Sequence, residues 1–424
     1  MKILHTSDWH IGRSLYGRKR TAEFESFFDW LIETVRSEGI DVLLVAGDIF
    51  DTSTPSNQAQ AMYYRFLCRV AATCCRHVVI TAGNHDSPSL LNAPQGILRA
   101  LNVHVVGFMT ELPTDEIVLL RDVQGQPQLI VCAVPYLRDR DIRRAEAGET
   151  IEDKDRKLVE GIRDHYRLVG EAAVDLASTQ STAAEKIPIV AMGHLFTSGG
   201  QTMQGDGVRE LYVGNLGQVR ADLFPDCFDY LALGHLHAAQ RVMGSELRRY
   251  SGAPLPMSFG EAKQKKIVLL LTVDGHGGGI RVEEKPVPCF QRLATVAGDW
   301  ESLRSRIVDL HGEAVPIWLE VLYQGDELVA DLQDRVRELT ADTSLEVLRI
   351  KDLRLAAMAL RVGDQEETLD DLEVSDVFGR CLLAHQVPPV QQVDLITLFQ
   401  ETMAALYDEE RDDAIAGDGD RKSS

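Results

Sequence analysis

The chain has 424 residues, 45% of them hydrophobic and 26% charged, which excludes general disorder and points to two or three packed domains. A formal net charge of -21 excludes a passive nucleic-acid coat, whose footprint would be a basic stripe. It leaves room for an enzyme whose bound divalent cations offset carboxylates locally, or whose partner supplies basic surface.

Between residues 1 and 285, short runs rich in Val, Ile and Leu alternate with polar or helical stretches. Strands are predicted over 2–6, 41–46, 77–82, 129–134, 187–192 and 229–233, each followed by Gly, Pro or Asp. Over 21–38, Phe24, Phe27, Phe28, Leu31, Ile32 and Val35 recur at helical spacing. The alternation means an α/β layer architecture. Residues 138–186 are polar and predicted helical, and 249–251, 266–273 and 280–286 are predicted strands. From about residue 286 a β-α-β-α-β order is expected: strands over 293–296, 317–322 and 345–350, helices over 300–310 and 327–339. Two helical candidates follow over 376–385 and 391–407, the second with Leu395, Leu398, Phe399, Met403 and Leu406 on one face. The acidic end from residue 408 is expected to be disordered.

The seven cysteines, at 68, 74, 75, 132, 227, 289 and 381, form no CxxC pair and are odd in number. That pattern suits a reduced, cytoplasmic chain better than a disulfide framework. The first residues lack the apolar stretch of a signal peptide, and no apolar run approaches the ~20 residues of a membrane helix.

Five motifs each follow an apolar strand: Asp8-Trp9-His10, Gly47-Asp48, Gly83-Asn84-His85-Asp86, Gly193-His194 and Gly234-His235-Leu236-His237. Loops at the carboxyl ends of strands in open α/β sheets gather at one edge, so these can share one cleft. Singly, most are explained by a polar turn or a satisfied core histidine. All five in order, each after a strand, are not. Imidazole, carboxylate and amide oxygen suit borderline-to-hard divalent ions, and the absence of thiolate speaks against a structural zinc cage. The donors are too many for one ion and suit two, held as a pair by a shared carboxylate.

The series D-x-H, GD, GNHD, GH, GHxH resembles the signature of the calcineurin-like metallophosphoesterases. The wording of residues 2–12, 46–51, 134–137, 234–237 and 250–261 is similar to the bacterial branch of SbcD-type nuclease subunits. The resemblance implies a four-layer sandwich of two central sheets flanked by helices over 1–285 and a small α+β capping domain over 286–352. A partner-binding helical region over 353–407 and a tail over 408–424 complete it. It further implies that Asp8, His10, Asp48 and His237 hold one metal, and Asp48, Asn84, His194 and His235 the other, with Asp48 as bridge and manganese as the typical ion. His85 then contacts the scissile phosphate or protonates the leaving oxygen, and Asp86 orients His85. Relatives outside the bacterial branch carry histidine where this chain has Asp51, so a second phosphate-contacting histidine has no counterpart.

Arg13, Arg18, Lys19 and Arg20 are either DNA-phosphate contacts beside the cleft or a solvated loop. Arg138, Arg140, Arg143 and Arg144, mixed with Asp139 and Asp141, fit a solvated helix face. No Gly-Lys pair occurs, so the chain has no phosphate loop for ATP. The resemblance therefore implies an SbcC-type ATPase partner, which the 391–407 face would contact, and a homodimer of nuclease subunits within a heterotetramer. The expected activity is DNA cleavage, exonucleolytic at duplex ends and endonucleolytic at hairpins. The alternatives are hydrolysis of small phosphodiesters or phosphoproteins, and a DNA-end scaffold with a silent metal site.

Overall fold

The computed structural model of the chain describes residues 1–143, 149–180, 186–197, 223–274, 279–312, 315–325, 329 and 331–353, with four isolated positions beyond. The helical candidates over 376–385 and 391–407, apart from those isolated positions, and the tail from 408 lie outside the described residues. Two compact units are present, Met1–Ala294 and Thr295–Ser424.

The first unit begins with β1 (Lys2–Thr6), a hairpin of β2 (Ser14–Leu15) and β3 (Arg18–Lys19), α1 (Thr21–Glu38), β4 (Val42–Ala46) and α2 (Asn57–Ala71). Next come β5 (His77–Thr81), the short helices α3 (Pro88–Asn92) and α4 (Gln95–Arg99), β6 (Val103–Val106), β7 (Ile117–Arg121) and β8 (Pro127–Ala133). It continues through α5 (Asp139–Ile142), α6 (Ile151–Gln180), β9 (Ile189–His194), β10 (Tyr230–Gly234) and β11 (Gln240–Arg241). The last elements are β12 (Arg248–Tyr250), β13 (Ile267–Val273) and β14 (Ile280–Pro286).

These strands make two six-stranded sheets, ordered β14-β13-β1-β4-β5-β6 and β11-β12-β10-β9-β8-β7. Each contains a run of four parallel strands: β1, β4, β5 and the edge strand β6 in one, β8, β9, β10 and β12 in the other. Antiparallel strands complete them: β13 and β14 at one edge of the first sheet, β7 and β11 at the two edges of the second. A parallel strand covered on both faces reads as an unbroken apolar run, and β4 (VLLVA) and β10 (YLALG) are buried at every residue. Ile3, Val42, Leu44 and Val79 of the first sheet pack against Leu129, Val131, Val190 and Tyr230 of the second. The other face of the first sheet takes Phe24, Phe27, Phe28, Leu31 and Val35 of α1 and Met62, Phe66 and Val70 of α2. The other face of the second takes Leu158, Ile162, Tyr166 and Val169 of α6. Helix α1 spans the predicted residues because its apolar positions fall on one face and Gly39 ends it in the left-handed conformation, φ 66°.

From β15 (Arg292–Gly298), whose last four residues begin the second unit, α7 (Trp300–Asp309), β16 (Ile317–Tyr323), α8 (Leu332–Thr340) and β17 (Leu345–Asp352) follow the expected order, with a sheet β15-β16-β17. Leu303, Ile307, Ile317, Leu319, Val321 and Val336 are fully buried there. Helix α8 starts at Leu332, later than the 327 expected. The Asp331 carboxylate, which accepts from Arg335 Nε at 2.9 Å, marks its first turn. Among the described residues no helix is long and apolar enough to cross a membrane, and the six described cysteines are free thiols.

Candidate metal centre

All five motifs sit where the strands end. Asp8 and His10 follow β1, Asp48 follows β4, residues 83–86 follow β5, His194 closes β9, and His235 and His237 follow β10. Because these strands are parallel within their sheets, their carboxyl ends coincide. The two sheets are joined there by His235 N–H donating to Asp8 Oδ1 (2.9 Å) and by His194 Nδ1 on the Ala46 carbonyl (3.0 Å). The chain bends sharply to do this. Four of the eight described non-glycine residues with positive φ are Asp8 (53°), His10 (48°), Asp48 (51°) and His235 (103°), so backbone strain concentrates where ligands were predicted. Gly47 is required by packing as well as by its φ of 84°, since a Cβ there would lie 2.1 Å from His194 Nδ1.

Between Asp8 and His10, Trp9 is fully buried, edge-on to Phe28 and Phe66 at 5.2 Å each, with its Nε1–H donating to Thr6 Oγ1. This anchor fixes the loop that carries both residues. Trp9→Ala should cost about 3–5 kcal/mol. The melting midpoint and bound metal should fall together; an unchanged midpoint would remove the anchor role.

The histidines are oriented by what stands behind them. His237 Nδ1 meets Glu261 Oε1 at 3.1 Å, whereas His10 Nδ1 makes no hydrogen bond and has the Asp51 carboxylate 3.4 Å away, at ion-pair range. A neutral imidazole that gives its Nδ1–H to an acceptor keeps its lone pair on Nε2. The two Nε2 atoms face each other at 3.2 Å, and Asp48 Oδ2 is 3.5 Å from that of His10. On the other side, His194 gives Nδ1–H to Ala46 O, turning Nε2 toward Asn84 Oδ1 (3.0 Å) and Asp48 Oδ2 (3.3 Å). His235 Nδ1 lies 3.1 Å from the same Asn84 oxygen. Acceptors so placed repel one another unless a proton or cation lies among them. Two donors each ~2.1 Å from one cation sit about 3.0 Å apart at right angles and about 3.4 Å apart at tetrahedral angles. The separations here are of that size, and the residues fit divalent ions. Ligand atoms of Asp8, His10 and His237, and of Asp8, Asp48 and His194, lie within 4.8 Å of one another.

The electrostatics agree. Burial would lower His194, but the carboxylates of Asp48 and Asp8 lift it to about 9. Burial works against Asp48 too, yet His194 and His10 hold it well below the usual carboxylate range. Asp8 is raised, chiefly by burial. His235 is pushed down to about 3 by burial and by the charge of His194.

His85 and Asp86 differ from expectation. His85 is half-buried, edge-on to His10 at 4.8 Å, and its N–H donates to Asp48 Oδ1 (2.9 Å). Its ring Nδ1 is held by the Asp51 carbonyl at 2.8 Å, not by Asp86. The Asp86 carboxylate instead accepts the backbone N–H groups of Ile49 (3.0 Å), Phe50 (2.9 Å) and Gly83 (2.8 Å). The expected orienting role of Asp86 on His85 is therefore corrected: neighbours in a tight turn point apart, and Asp86 staples the loops after β4 and β5 together. Asp86→Ala leaves three buried donors unpartnered and should cost about 2–5 kcal/mol of stability. A denaturation midpoint equal to that of the parent chain would contradict this.

The basic cluster is split as well. Arg20 is buried and paired through both Nε (2.7 Å) and Nη2 (2.9 Å) with Glu23, and Arg13 Nη1 is bonded to Asp51 Oδ1 (2.9 Å). Only Arg18 and Lys19, on β3, are exposed. Arg140 is 74% exposed, as a solvated face requires, but the expectation is corrected at Arg143: its side chain is 10% exposed and held by Asp139 and by Glu149, itself 6% exposed. Sequence reasoning did not single out Glu261 and Lys266 as site residues; the one signal was that Glu261 closes the 250–261 stretch that carries the family resemblance.

The sequence model of the family described as Calcineurin-like phosphoesterase matches residues 1–239, which contain every motif above. The chain belongs to this family. A second model, described as Type 5 capsule protein repressor C-terminal domain, matches residues 289–386. The chain is 38% identical over 411 residues to the SbcD chain of the nuclease SbcCD from Escherichia coli K12, covering 96% of this chain and 99% of the relative. It is 37% identical over 298 residues to the protein of the same name from Rhodobacter capsulatus, covering 69% and 71%. With the Bacillus subtilis protein of that name it shares 36% over 274 residues, covering 64% and 66%. A calcineurin-like phosphoesterase is a metal-dependent phosphoesterase, and the acceptor cluster at the strand ends is where divalent ions would be held.

Proposed function

We propose that the chain is the nuclease subunit of an SbcCD-type complex, cleaving DNA phosphodiesters with two divalent ions, manganese first among them. The observation that carries the reading is the set of convergent lone pairs on His10, His237, His194 and Asn84 around Asp48. Asp8, His10, Asp48 and His237 would hold one ion, and Asp48, Asn84, His194 and His235 the other. Likeness to the Escherichia coli nuclease chain over 96% of the sequence supports DNA as substrate and an SbcC-type ATPase as partner. Cleavage would be exonucleolytic at duplex ends and endonucleolytic at hairpins, by a homodimer within a heterotetramer in the cytoplasm.

When bound, the ions would supply positive charge to the phosphoryl oxygens and the attacking water. The chain's own part centres on His85. With Nδ1–H given to the Asp51 carbonyl, Nε2 is the ring nitrogen that faces substrate. As imidazolium it donates its Nε2 proton to the leaving 3′ or 5′ oxygen as the P–O bond breaks, and ends neutral. Asp51, through its carbonyl, and Asp86, through its three backbone bonds, are positioning residues. The purified chain with Mn2+ should degrade linear duplex DNA. Absence of cleavage with any divalent ion, with or without an SbcC-type partner, would sink the reading; hydrolysis of cyclic nucleotides alone would move it to small phosphodiesters.

A further inference from the structure

Behind His237 lies a buried charge cluster that the reaction does not use directly. Glu261 is fully buried, and Lys266 is 8% exposed. Glu261 Oε1 meets His237 Nδ1 at 3.1 Å. Its Oε2 accepts from Met257 N–H at 3.1 Å and from Lys266 Nζ at 2.5 Å. Lys266 Nζ also donates to the His237 carbonyl at 3.2 Å and to Gln264 Oε1 at 2.9 Å. The lysine therefore holds both the backbone and, through Glu261, the ring of one residue.

A buried ion pair is weak evidence for stability, because desolvating two charges offsets most of their attraction. Here the arrangement has a directional consequence. Glu261 is a pure acceptor, so His237 must carry its hydrogen on Nδ1 and keep its Nε2 lone pair toward His10. A carboxylate behind a ligating imidazole also raises the basicity of the ligand. His194 gives its Nδ1–H to a neutral carbonyl, that of Ala46, and the nearest carboxylate to that nitrogen, Asp8, stands off at 4.0 Å, so the two sides of the centre are supported differently.

We propose that Glu261, clamped by Lys266 and Met257 N–H, is a positioning residue that fixes the tautomer and direction of His237 and so sets the affinity of the cation position His237 shares with His10. The inference rests on the metal reading above. Mn2+ titration calorimetry on the full chain tests it. Glu261→Gln should weaken one of two binding steps about 10–100-fold and leave the other within about threefold. Cleavage should be restored by raising Mn2+. Glu261→Asp keeps the charge beside Lys266 but withdraws the carboxylate by one methylene. It should weaken the same step, and it covers the case in which the Gln variant fails to fold. In a His237→Ala background, the Glu261 substitution should have no further effect on binding. Two folded variants with both steps at parent affinity would overturn the proposal. A parent chain that binds no Mn2+ would instead overturn the metal reading on which it stands.

Discussion

His85→Ala is expected to lower DNA cleavage by about 10²–10⁴-fold, the range for losing a general acid, while leaving two metal ions bound per chain. The separation of the two effects follows from how His85 is tied in. Its contact with Asp48 is made by the backbone N–H, 2.9 Å from Oδ1, and alanine keeps that donor. Its ring meets the Asp51 carbonyl and lies against His10, so no predicted ligand is oriented by the His85 side chain. Only the proton at Nε2 is lost. Metal analysis beside a cleavage assay on linear duplex decides the matter. More than a tenth of parent activity would remove His85 from the catalytic step, and loss of metal would make it a ligand.

The candidate ligand set was legible in the sequence because side chains with donor atoms at strand ends are consecutive with apolar runs. β1, β4, β5, β9 and β10 are such runs, and each delivers its donors within a few residues of its end. What orients those donors was less legible, for three physical reasons. Asp51 acts on His85 through a backbone carbonyl, which carries no residue-type signal. Glu261 approaches His237 from 24 residues further along, in a loop without periodicity. Asp86 adjoins His85 in sequence, but the turn sends its carboxylate toward residues 49 and 50. The same limit applied to charge: Arg20 is a surface residue by composition and a buried one in fact, because Glu23 lies one helical turn away. Helix α2 had a periodic face in Met62, Tyr63, Phe66, Leu67 and Val70 but no motif beside it, and β6 and β7 are four and five residues long with none either.

Asp48→Asn should reduce bound Mn2+ from two ions to at most one and cleavage by ~10³-fold or more, since several kcal/mol of charge stabilisation depend on the pair. Asp48 Oδ2 is 3.5 Å from His10 Nε2 and 3.3 Å from His194 Nε2, so one carboxylate serves both halves of the centre. An amide there has no charge to share and can turn its N–H groups toward cations. The substitution also has a signature without metal. Burial alone would lower His194, but Asp48, with smaller help from Asp8 and the Ala46 carbonyl, lifts it from 6.5 to about 9. A histidine raised in the folded state contributes stability that is fully present below its unfolded value and lost as pH rises through the folded one. Chelator-treated parent chain should therefore lose stability between about pH 6.5 and 9. In the Asn variant that slope should flatten, because His194 has lost its main counter-charge. Excess Mn2+ should flatten it in the parent chain too, by taking the proton's place on His194. Urea midpoints at about pH 6 and pH 9 measure all three. A variant that keeps two ions at parent affinity would show that Asp48 is not shared, and the bridge would pass to Asp8, whose carboxylate lies 4.0 Å from His194 Nδ1.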